Sequence, residues 1–331
     1  MHETIELAFA ANQAYFDALL VTMASAAKYA SADVVLSYTI LDGGICDEDY
    51  QFLEQVIRRY HKSSQFRRFR LQGTEFDNFP SWYGNKMTYA RLLLPKLLPD
   101  VGFVIYSDVD YLWLRDVAEL WEMRDDKIPL IGTVDGYVET LRIEKEWHQK
   151  HNLRFDPRTY ICAGMSLYNL NIFRSEHLSQ KIIDFIAKYP DIKYPDQTAI
   201  NNIMFDKIKH VPQTWQRFTR EVTQDELQRP IALHYAGEAP WKIGCWLTGL
   251  TDARHYWFVF LAECRQESVW KAYKRYYPNV FVALFRRFLS KWASSALFKY
   301  LLWVILAMTG RKYFISEFKT WSRPLSFAKY K

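Results

Sequence analysis

The segment VGFVIYSDVD, residues 101–110, predicts a short buried strand that ends in two carboxylates. Apolar side chains fill most of the segment, and Asp108 and Asp110 follow with one residue between them. Alternate residues of an extended chain point the same way, and ligands of open α/β sheets collect at the carboxyl ends of the strands. The two carboxylates can therefore converge on one hard cation that holds a diphosphate. An Asp-x-Asp pair is also common in exposed turns, so the pair alone does not decide between the two interpretations.

Short strand-like runs alternate with helical patterns through the first 264 residues, which indicates βαβ units around a mostly parallel sheet. We predict strands over residues 5–10, 34–41 and 66–71, and helices over residues 17–29 and 89–98. Asp47 follows the turn after the second strand, and we expect it to cap the next helix. The fold class that these patterns predict is α/β.

The composition is typical of a large folded protein with reduced thiols. Of 331 residues, 50% are hydrophobic and 17% are aromatic, which is enough to bury a sizeable core. The four cysteines show neither a Cys-x-x-Cys pair nor a zinc-binding spacing. The amino terminus lacks the basic and then apolar stretch of a secretory signal. We therefore predict a protein that works in the cytoplasm.

Positive charge is concentrated near the carboxyl terminus. Residues 265–331 contain 14 Lys and Arg against 2 Asp and Glu, whereas residues 1–264 contain 29 against 35. Within residues 281–303, basic and small polar side chains share one helical face, and aromatic and aliphatic side chains share the other. We predict a catalytic domain over residues 1–264 and a basic, helical tail over residues 265–331. The tail would bind peripherally to an anionic membrane surface, at the inner face of the cell membrane.

The apolar run inside this tail is too short to cross a bilayer. Residues 300–308 are continuously apolar, but a transmembrane helix needs about 20 such residues. A helical subdomain that covers the first domain is the alternative interpretation of the same pattern. Binding of nucleic acid is disfavoured, because no nucleic-acid motif accompanies the charge and the first domain is acidic.

Six short motifs occur in an order that resembles one enzyme family. They are FAANQAY (residues 9–15), TYARL (88–92), YSDVD (106–110), CAG (162–164), YPDQ (194–197) and HYAG (234–237). Each motif is weak alone, but their order and intervals resemble those of family 8 glycosyltransferases. Within that family the chain is most similar to bacterial lipopolysaccharide galactosyl- and glucosyltransferases.

The resemblance implies a nucleotide-sugar-binding fold of the GT-A type and a UDP-hexose donor. The hexose would pass, with retention of anomeric configuration, to a saccharide hydroxyl of lipopolysaccharide or of another lipid-linked glycan. The resemblance also implies that Asp108, Asp110 and His234 bind Mn²⁺ or Mg²⁺. Two carboxylates and one imidazole suit Mn²⁺, which would offset the charge that grows on UDP as the glycosidic bond breaks. Outside the family, a histidine that ends an apolar run is more often a core residue.

One group of residues matches family positions at the nucleotide. The group consists of Ala10, Asn12 and Tyr15; Val109 and Gly237 match donor-binding positions that we do not divide between nucleotide and sugar. The side-chain oxygen of Asn12 can accept the N3–H of uracil, although family members commonly have Asp at this position. Without the family, Asn12 would be interpreted as a helix cap.

A second group matches positions around the donor sugar, where hydroxyl groups need hydrogen-bond partners in fixed directions. The group consists of Arg91, Asp135, Ala163, Gly164, Asp196 and Gln197. Asp196 would accept hydrogen bonds from the sugar. The amide oxygen of Gln197 would face the anomeric carbon and shield its developing positive charge. On the local pattern alone, Asp196 would cap a helix.

The chain departs from the family at two positions. Cys162 stands where the family usually has Asn before Ala-Gly, so a polar contact to the sugar is lost or replaced by a weak thiol donor. The family also has a lysine before Pro-Trp that neutralises diphosphate, whereas this chain has Ala239 there and Lys242 after the Trp. We expect Lys242 or Arg91 to carry this charge.

The two departures leave a second function open. A catalytically impaired protein that binds UDP-sugar or glycan at the membrane would tolerate both changes. A phosphatase of the Asp-x-Asp type is disfavoured, because its nucleophilic aspartate would come near the first strand, where this chain has Asn12. We therefore expect a hexosyltransferase, with the binding protein as the alternative.

Overall fold

The computed structural model describes residues 3–72, 76, 79, 86–219, 231–237, 239–241 and 252–277. Lys242 and the predicted amphipathic helix of residues 281–303 lie outside the described residues. The membrane-binding role of the tail therefore stays a prediction. No described helix is both long and apolar enough to cross a membrane.

The described strands form one large sheet and one small sheet. In chain order they are β1 (Glu3–Ala11), β2 (Val34–Asp42), β3 (Gln65–Arg70), β4 (Phe103–Ser107), β5 (Tyr111–Trp113), β6 (Leu130–Val134), β7 (Ile161–Asn169), β8 (Ile208–Val211), β9 (Arg217–Phe218) and β10 (Ala232–His234). The large sheet has the order β3-β2-β1-β4-β7-β6-β8. Strand β7 runs antiparallel to β4 and β6, and the other neighbouring pairs are parallel. This confirms the predicted α/β fold with a mostly parallel central sheet.

Helices cover both faces of the large sheet. In chain order they are α1 (Phe16–Tyr29), α2 (Asp47–Tyr60), α3 (Leu94–Leu97), α4 (Ala118–Trp121), α5 (Val138–Lys150), α6 (Leu170–Ser175), α7 (Leu178–Lys188), α8 (Pro195–Ile203), α9 (Asp252–Arg265) and α10 (Val269–Tyr276). Strand β1 shows the two-sided burial most clearly. Leu7 and Phe9 pack with residues of α1, α2 and α9, whereas Ala8 and Ala10 pack with residues of α6, α7 and α8. Side chains alternate along a strand, so one apolar run serves both cores.

The small sheet has the order β5-β10-β9 and carries residues from three distant parts of the chain. Strand β10 pairs antiparallel with β5 and parallel with β9. Its register sets His234 opposite Tyr111 on one side and Phe218 on the other. Strand β5 begins one residue after Asp110, so this sheet adjoins the acidic end of β4.

One local prediction, the helix cap at Asp47, is wrong, and another, the helix of residues 89–98, is confirmed as helical but with two helix types. Helix α2 begins at Asp47, but Cys46 holds the cap position, and the Asp47 carboxylate pairs with Arg68 at 2.5 Å instead of capping the helix. The predicted helix of residues 89–98 is a 3₁₀ helix over Met87–Leu93 followed by the short α3. Pro95 explains this, because it has no N–H to bond to the carbonyl of Arg91, which accepts from Leu94 in 3₁₀ geometry.

The folded structure continues past the predicted domain boundary at residue 264. Helix α9 ends at Arg265, whose Nε donates to Asp17 Oδ1 at 2.9 Å. On α10, Tyr276 donates its hydroxyl to Asp17 Oδ2 at 2.7 Å, and Tyr273 is buried in the core that contains α1. The first 13 residues assigned to the tail therefore pack on the first domain, and the separate tail is a prediction for the residues after Tyr277.

Candidate active site

The predicted site residues meet where strands β1 and β4 end and where the antiparallel β7 begins. Two adjoining cavities of about 210 and about 440 Å³ open at this edge of the sheet. Asp108, Asp110, Thr88 and Gly237 line both of them. The acidic pair therefore lies at the junction of the two cavities, as expected for side chains that follow β4.

The smaller cavity contains the residues that the sequence analysis assigned to the nucleotide. Its lining includes Ala10, Asn12 and Tyr15, and also Val109 and Gly237, which were predicted to bind the donor without a closer assignment. Asn12 Oδ1 accepts from the backbone N–H of Ala14 at 3.1 Å, so the cap interpretation is correct for the short 3₁₀ turn that follows β1. The same carboxamide lines the cavity, so capping this turn is compatible with the proposed contact to the uracil.

The larger cavity contains the residues that the sequence analysis assigned to the donor sugar. Its lining includes Arg91, Asp135, Cys162, Ala163, Gly164, Asp196, Gln197 and His234. Every predicted site residue within the described part of the chain thus lines one of these two cavities.

A buried guanidinium connects three parts of the larger cavity. Arg91 is 2% exposed, and its guanidinium donates to Asp108 Oδ1 at 2.7 Å and to the carbonyl of Ala163. Its Nε lies 3.3 Å from Asp196 Oδ2. Burial lowers the pKa of Arg91, but the neighbouring carboxylates outweigh this and hold the pKa above its usual value. The site therefore contains a permanent positive charge beside the acidic pair.

The side chain of Gln197 is held at both ends of its amide. Its Nε2 donates to Asp135 Oδ2 at 2.9 Å, and its Oε1 accepts from the backbone N–H of Ala163 at 3.0 Å. Tyr137 donates its backbone N–H to the other Asp135 oxygen at 2.8 Å. Gln197 and Asp135 are thus fixed against each other at the wall of the larger cavity.

Asp196 lies in the first turn of α8 and does not cap the helix. Tyr194 occupies the cap position and makes no side-chain cap hydrogen bond, while the Asp196 carboxylate turns toward Arg91. The ion pair with a buried guanidinium outweighs the local preference of aspartate for a helix cap. The cap interpretation of Asp196 is therefore wrong.

His234 and the acidic pair share one polar cluster. His234 is 5% exposed, and its Nε2 lies 3.4 Å from Asp110 Oδ1. Burial alone would lower the pKa of His234. The negative charge of Asp110 raises it by more than burial lowers it, and the resulting pKa is about 10. Burial raises the pKa of Asp108, Arg91 lowers it, and Asp110 raises it again, with a net value of about 6. This surplus of negative charge attracts a proton to the imidazole and would equally attract a metal cation.

Gly164 leaves open space between the proposed metal ligands. A Cβ at this position would meet Asp108 Oδ2 at 3.3 Å, His234 Cε1 at 3.3 Å and the hydroxyl of Tyr111 at 2.6 Å. Two carboxylates and an imidazole around such a space fit Mn²⁺ or Mg²⁺ in ligand type. Among the described residues, no group of three or more His, Cys, Asp or Glu already has the geometry of a metal site. The fit is thus one of donor chemistry and available space.

A sequence profile of Glycosyl transferase family 8 matches residues 6–244 of the chain. The chain belongs to glycosyltransferase family 8. The match includes all six motifs and every predicted site residue, and it ends before the basic tail. It confirms the family that the motif order predicts.

Relatives and solved structures agree with this family membership. A Haemophilus influenzae protein named as a putative glycosyltransferase is 28% identical over 63% of this chain and 62% of its own length. General stress protein A of Bacillus subtilis is 24% identical over 61% of this chain and 75% of that protein. The galactosyltransferase LgtC, solved with donor and acceptor sugar analogues, superposes with a TM-score of 0.64 at 21% identity, covering 78% of this chain and 96% of LgtC. The family 8 chain therefore has a GT-A fold. It spans less than two thirds of the length of the Haemophilus influenzae protein.

The family departure at Cys162 lies inside the larger cavity. Its thiol is free, 5% exposed and 4.0 Å from His234 Nδ1. The position therefore faces the proposed sugar site, as its motif predicts, but it offers sulfur in place of a carboxamide. Lys242, the other departure, lies outside the described residues.

Several lining residues of the family 8 site were missed by sequence reasoning. Tyr137 and Phe218 line the larger cavity, and Met87 and Trp241 line the smaller one. Trp241 follows Pro240 in the segment after the HYAG motif, and this nearness to a motif could have identified it as a site residue. Phe218 lies in a two-residue strand without any local pattern, so its place depends on strand pairing.

Proposed function

We propose that this protein transfers galactose or glucose from a UDP-sugar to a saccharide hydroxyl of lipopolysaccharide or another cell-surface glycan. One observation carries the proposal: the two cavities meet at Asp108 and Asp110, with the buried Arg91 beside them. A nucleoside in the smaller cavity and a hexose in the larger one would set the diphosphate between them. Family membership supports the transfer chemistry, and the name of LgtC supports a hexose of the galactose type.

The proposed mechanism separates the roles of the site residues. A divalent cation, Mn²⁺ or Mg²⁺, held by Asp108, Asp110 and His234 would supply Lewis-acid assistance as UDP leaves. Arg91 adds a fixed positive charge next to Asp108, where charge on the diphosphate would otherwise be repelled. Asp135 and Asp196 would accept hydrogen bonds from sugar hydroxyl groups, and their partners Gln197 and Arg91 hold them in place.

Gln197 would stabilise the anomeric carbon as it becomes positive. Its amide oxygen accepts one hydrogen bond, from Ala163, and retains a second lone pair. The nucleophile is the acceptor hydroxyl. The cavity carboxylates at positions 135 and 196 are engaged with Gln197 and Arg91, so we infer that the departing phosphate oxygen takes the proton. This assignment agrees with transfer that retains the anomeric configuration.

The basic tail extends the proposal to location. We propose that residues after Tyr277 bind anionic lipid at the cytoplasmic face of the membrane, where a lipid-linked acceptor would be found. The positive charge of that segment and its amphipathic pattern support the proposal.

The proposed function is tested by removing one carboxylate of the acidic pair. We expect Asp110→Asn to lower Mn²⁺-dependent hydrolysis of UDP-galactose and UDP-glucose by about 100- to 1,000-fold, since metal assistance contributes several kcal/mol. UDP release is the measurement, and Asp100→Ala, at an exposed position before β4, is the control. Unchanged hydrolysis in Asp110→Asn would contradict the metal assignment.

The competing function is a UDP-sugar-binding protein without transfer activity. The thiol of Cys162 in the sugar cavity favours it, because a carboxamide contact is lost there. The same assay separates the two functions. UDP binding by calorimetry, with no UDP release from either donor in the presence of Mn²⁺ and a glycan acceptor, would establish the binding protein.

A further inference from the structure

Three aromatic rings form one row across the small sheet. Tyr111 on β5, His234 on β10 and Phe218 on β9 occupy the same register on adjacent strands. The imidazole lies against Tyr111 with ring centroids 4.1 Å apart and planes 13° apart. On its other side, Phe218 lies 5.1 Å away at 28°. Neighbouring residues on one face of a sheet contact each other, so the strand pairing itself builds the stack.

We propose that Tyr111 and Phe218 are positioning residues that clamp the imidazole of His234 in the plane required for metal binding. This inference rests on the proposed function, because it assigns His234 to the metal. Stacked between two rings, the imidazole can turn in its own plane but cannot readily tilt out of it. Its Nε2 lies 3.4 Å from Asp110 Oδ1. Strand β10 is three residues long, so neighbours must supply the rigidity that a longer element would give.

The contact with Tyr111 is mainly one of stacking. The Tyr111 hydroxyl lies 3.1 Å from His234 Nδ1, but nearly parallel rings put it over the imidazole face, where an N–H···O bond would be poorly aligned. The same hydroxyl donates to Gln216 Oε1 at 2.6 Å, so its proton is directed away from the imidazole. Gly164 permits this arrangement, because a Cβ there would come within 2.6 Å of the hydroxyl.

A clamp is needed because the usual orienting bond is weak here. Metal-binding histidines normally donate their second ring N–H to a carboxylate, a carbonyl or water, which fixes the ring. The recorded contacts of His234 Nδ1 are the Tyr111 hydroxyl over the ring face and the Cys162 sulfur at 4.0 Å. Neither is a strong acceptor in the ring plane. Stacking from both sides therefore takes over the orienting role.

The test measures Mn²⁺ affinity directly, in the full chain with saturating UDP, from the electron paramagnetic resonance signal of free Mn²⁺. We expect Phe218→Leu and Tyr111→Leu to weaken Mn²⁺ binding by about 10-fold, the lower end of the effect of losing a partner of a metal ligand. Tyr111→Phe keeps the ring and should bind within about twofold of the unaltered protein. Phe66→Leu is the matched control, because Phe66 stacks on Tyr38 across β2 and β3, away from the site.

Each outcome decides the matter. Unchanged affinity in both leucine variants overturns the clamp, as does an equal loss in Phe66→Leu, which would show a general loss of stability. A loss in Tyr111→Phe as large as in Tyr111→Leu assigns the effect to the hydroxyl and also overturns it. Absence of Mn²⁺ binding in the unaltered protein refutes the metal assignment itself. Thermal unfolding without metal checks folding, and Phe218→Leu decides alone if Tyr111→Leu does not fold.

Discussion

The two cavities that meet at the acidic pair differ in how their side chains are held. In the larger cavity Arg91 binds Asp108, Asp196 and the Ala163 carbonyl, and Gln197 is bonded at both ends. In the smaller cavity the recorded side-chain bond of Asn12 is a local one to Ala14, two residues along the chain. The larger cavity, the proposed sugar side, is thus organised by long-range polar contacts, whereas the smaller cavity, the proposed nucleotide side, is organised by the end of a strand and the turn after it.

This difference predicts different kinds of defect. Preorganised charges and dipoles that act on the reacting atoms lower the barrier, so damage to the sugar side should reduce turnover. Groups that contact a remote part of the substrate equally in the ground and transition states contribute to affinity. Damage to the nucleotide side should therefore raise the dissociation constant for UDP and leave turnover at saturating donor intact.

Among the substitutions that compare the two cavities, the largest effect is expected from Gly164→Ala. The new methyl group would meet the Tyr111 hydroxyl, Asp108 Oδ2 and His234 Cε1 at 3.3 Å or less, so all three groups must move. A misplacement of about 1 Å near reacting groups costs about 100-fold in rate. We expect turnover of the UDP-sugar to fall by about this factor, as measured by UDP release at saturating donor.

A second glycine gives the control for this substitution. In Gly102→Ala the new Cβ would meet the side chain of Asn171 at 3.1 Å, at the opposite end of β4 from the site. Its turnover should match that of the unaltered protein. An equal loss in both variants would show that the sheet, not the space beside Asp108, limits activity.

The next effect concerns a buried carboxyl beneath the sugar side. Glu144 on α5 is fully buried, and its Oε1 accepts from Thr198 Oγ1 on α8 at 2.9 Å. Burial raises the pKa of Glu144 to about 7, although the hydrogen bonds of Thr198 and Tyr160 lower it. Helix α8 carries Asp196 and Gln197, so this contact supports two residues that line the larger cavity.

The raised pKa of Glu144 gives a pH dependence with a definite sign. The folded protein keeps the Glu144 proton up to about pH 7, whereas the unfolded chain loses it near the ordinary value of 4.5. The stability that the Glu144 proton contributes is therefore fully present below pH 4.5 and is lost as the pH rises to about 7. Between pH 5 and 8, we expect the free energy of unfolding of the unaltered protein to fall by about 2 kcal/mol more than that of Glu144→Gln.

Denaturant unfolding at several pH values measures this difference. The neighbouring His148, whose pKa burial lowers, changes stability in the opposite direction and is present in both proteins. Parallel pH profiles for the two proteins would show that Glu144 is ionised in the folded state, and the contact with Thr198 would then be charge-assisted.

The fold and the edge that holds the site could be predicted from local patterns. Apolar runs that end in polar residues predicted β1 and β4, and the position of Asp108 and Asp110 followed from the end of β4. The motif order then grouped the remaining residues into nucleotide and sugar sets, and the structure brings each set into its own cavity. These features depend on side-chain period and strand order, which the sequence displays.

Features that depend on partners far apart in the chain could not be predicted. The turn of Asp196 away from the helix cap requires Arg91, which is 105 positions away, and the fate of Asp47 requires Arg68 on the neighbouring strand. The stack around His234 joins three strands whose pairing leaves no local pattern, since β9 and β10 are two and three residues long. Buried charges choose the partner that compensates them best, and that choice is made by tertiary structure.

The smallest effect, and the sharpest test of the difference between the cavities, is expected from Asn12→Ala. Loss of one acceptor for the uracil N3–H removes about 1 kcal/mol of binding, which corresponds to about a fivefold rise in the dissociation constant for UDP. Asn12→Asp keeps an acceptor and should stay within about twofold. Calorimetry gives the affinity, and UDP release at saturating donor gives a turnover that we expect to be unchanged. A fall in turnover with unaltered affinity would mean that Asn12 acts on the reacting end of the donor, and the two cavities would then act as one unit.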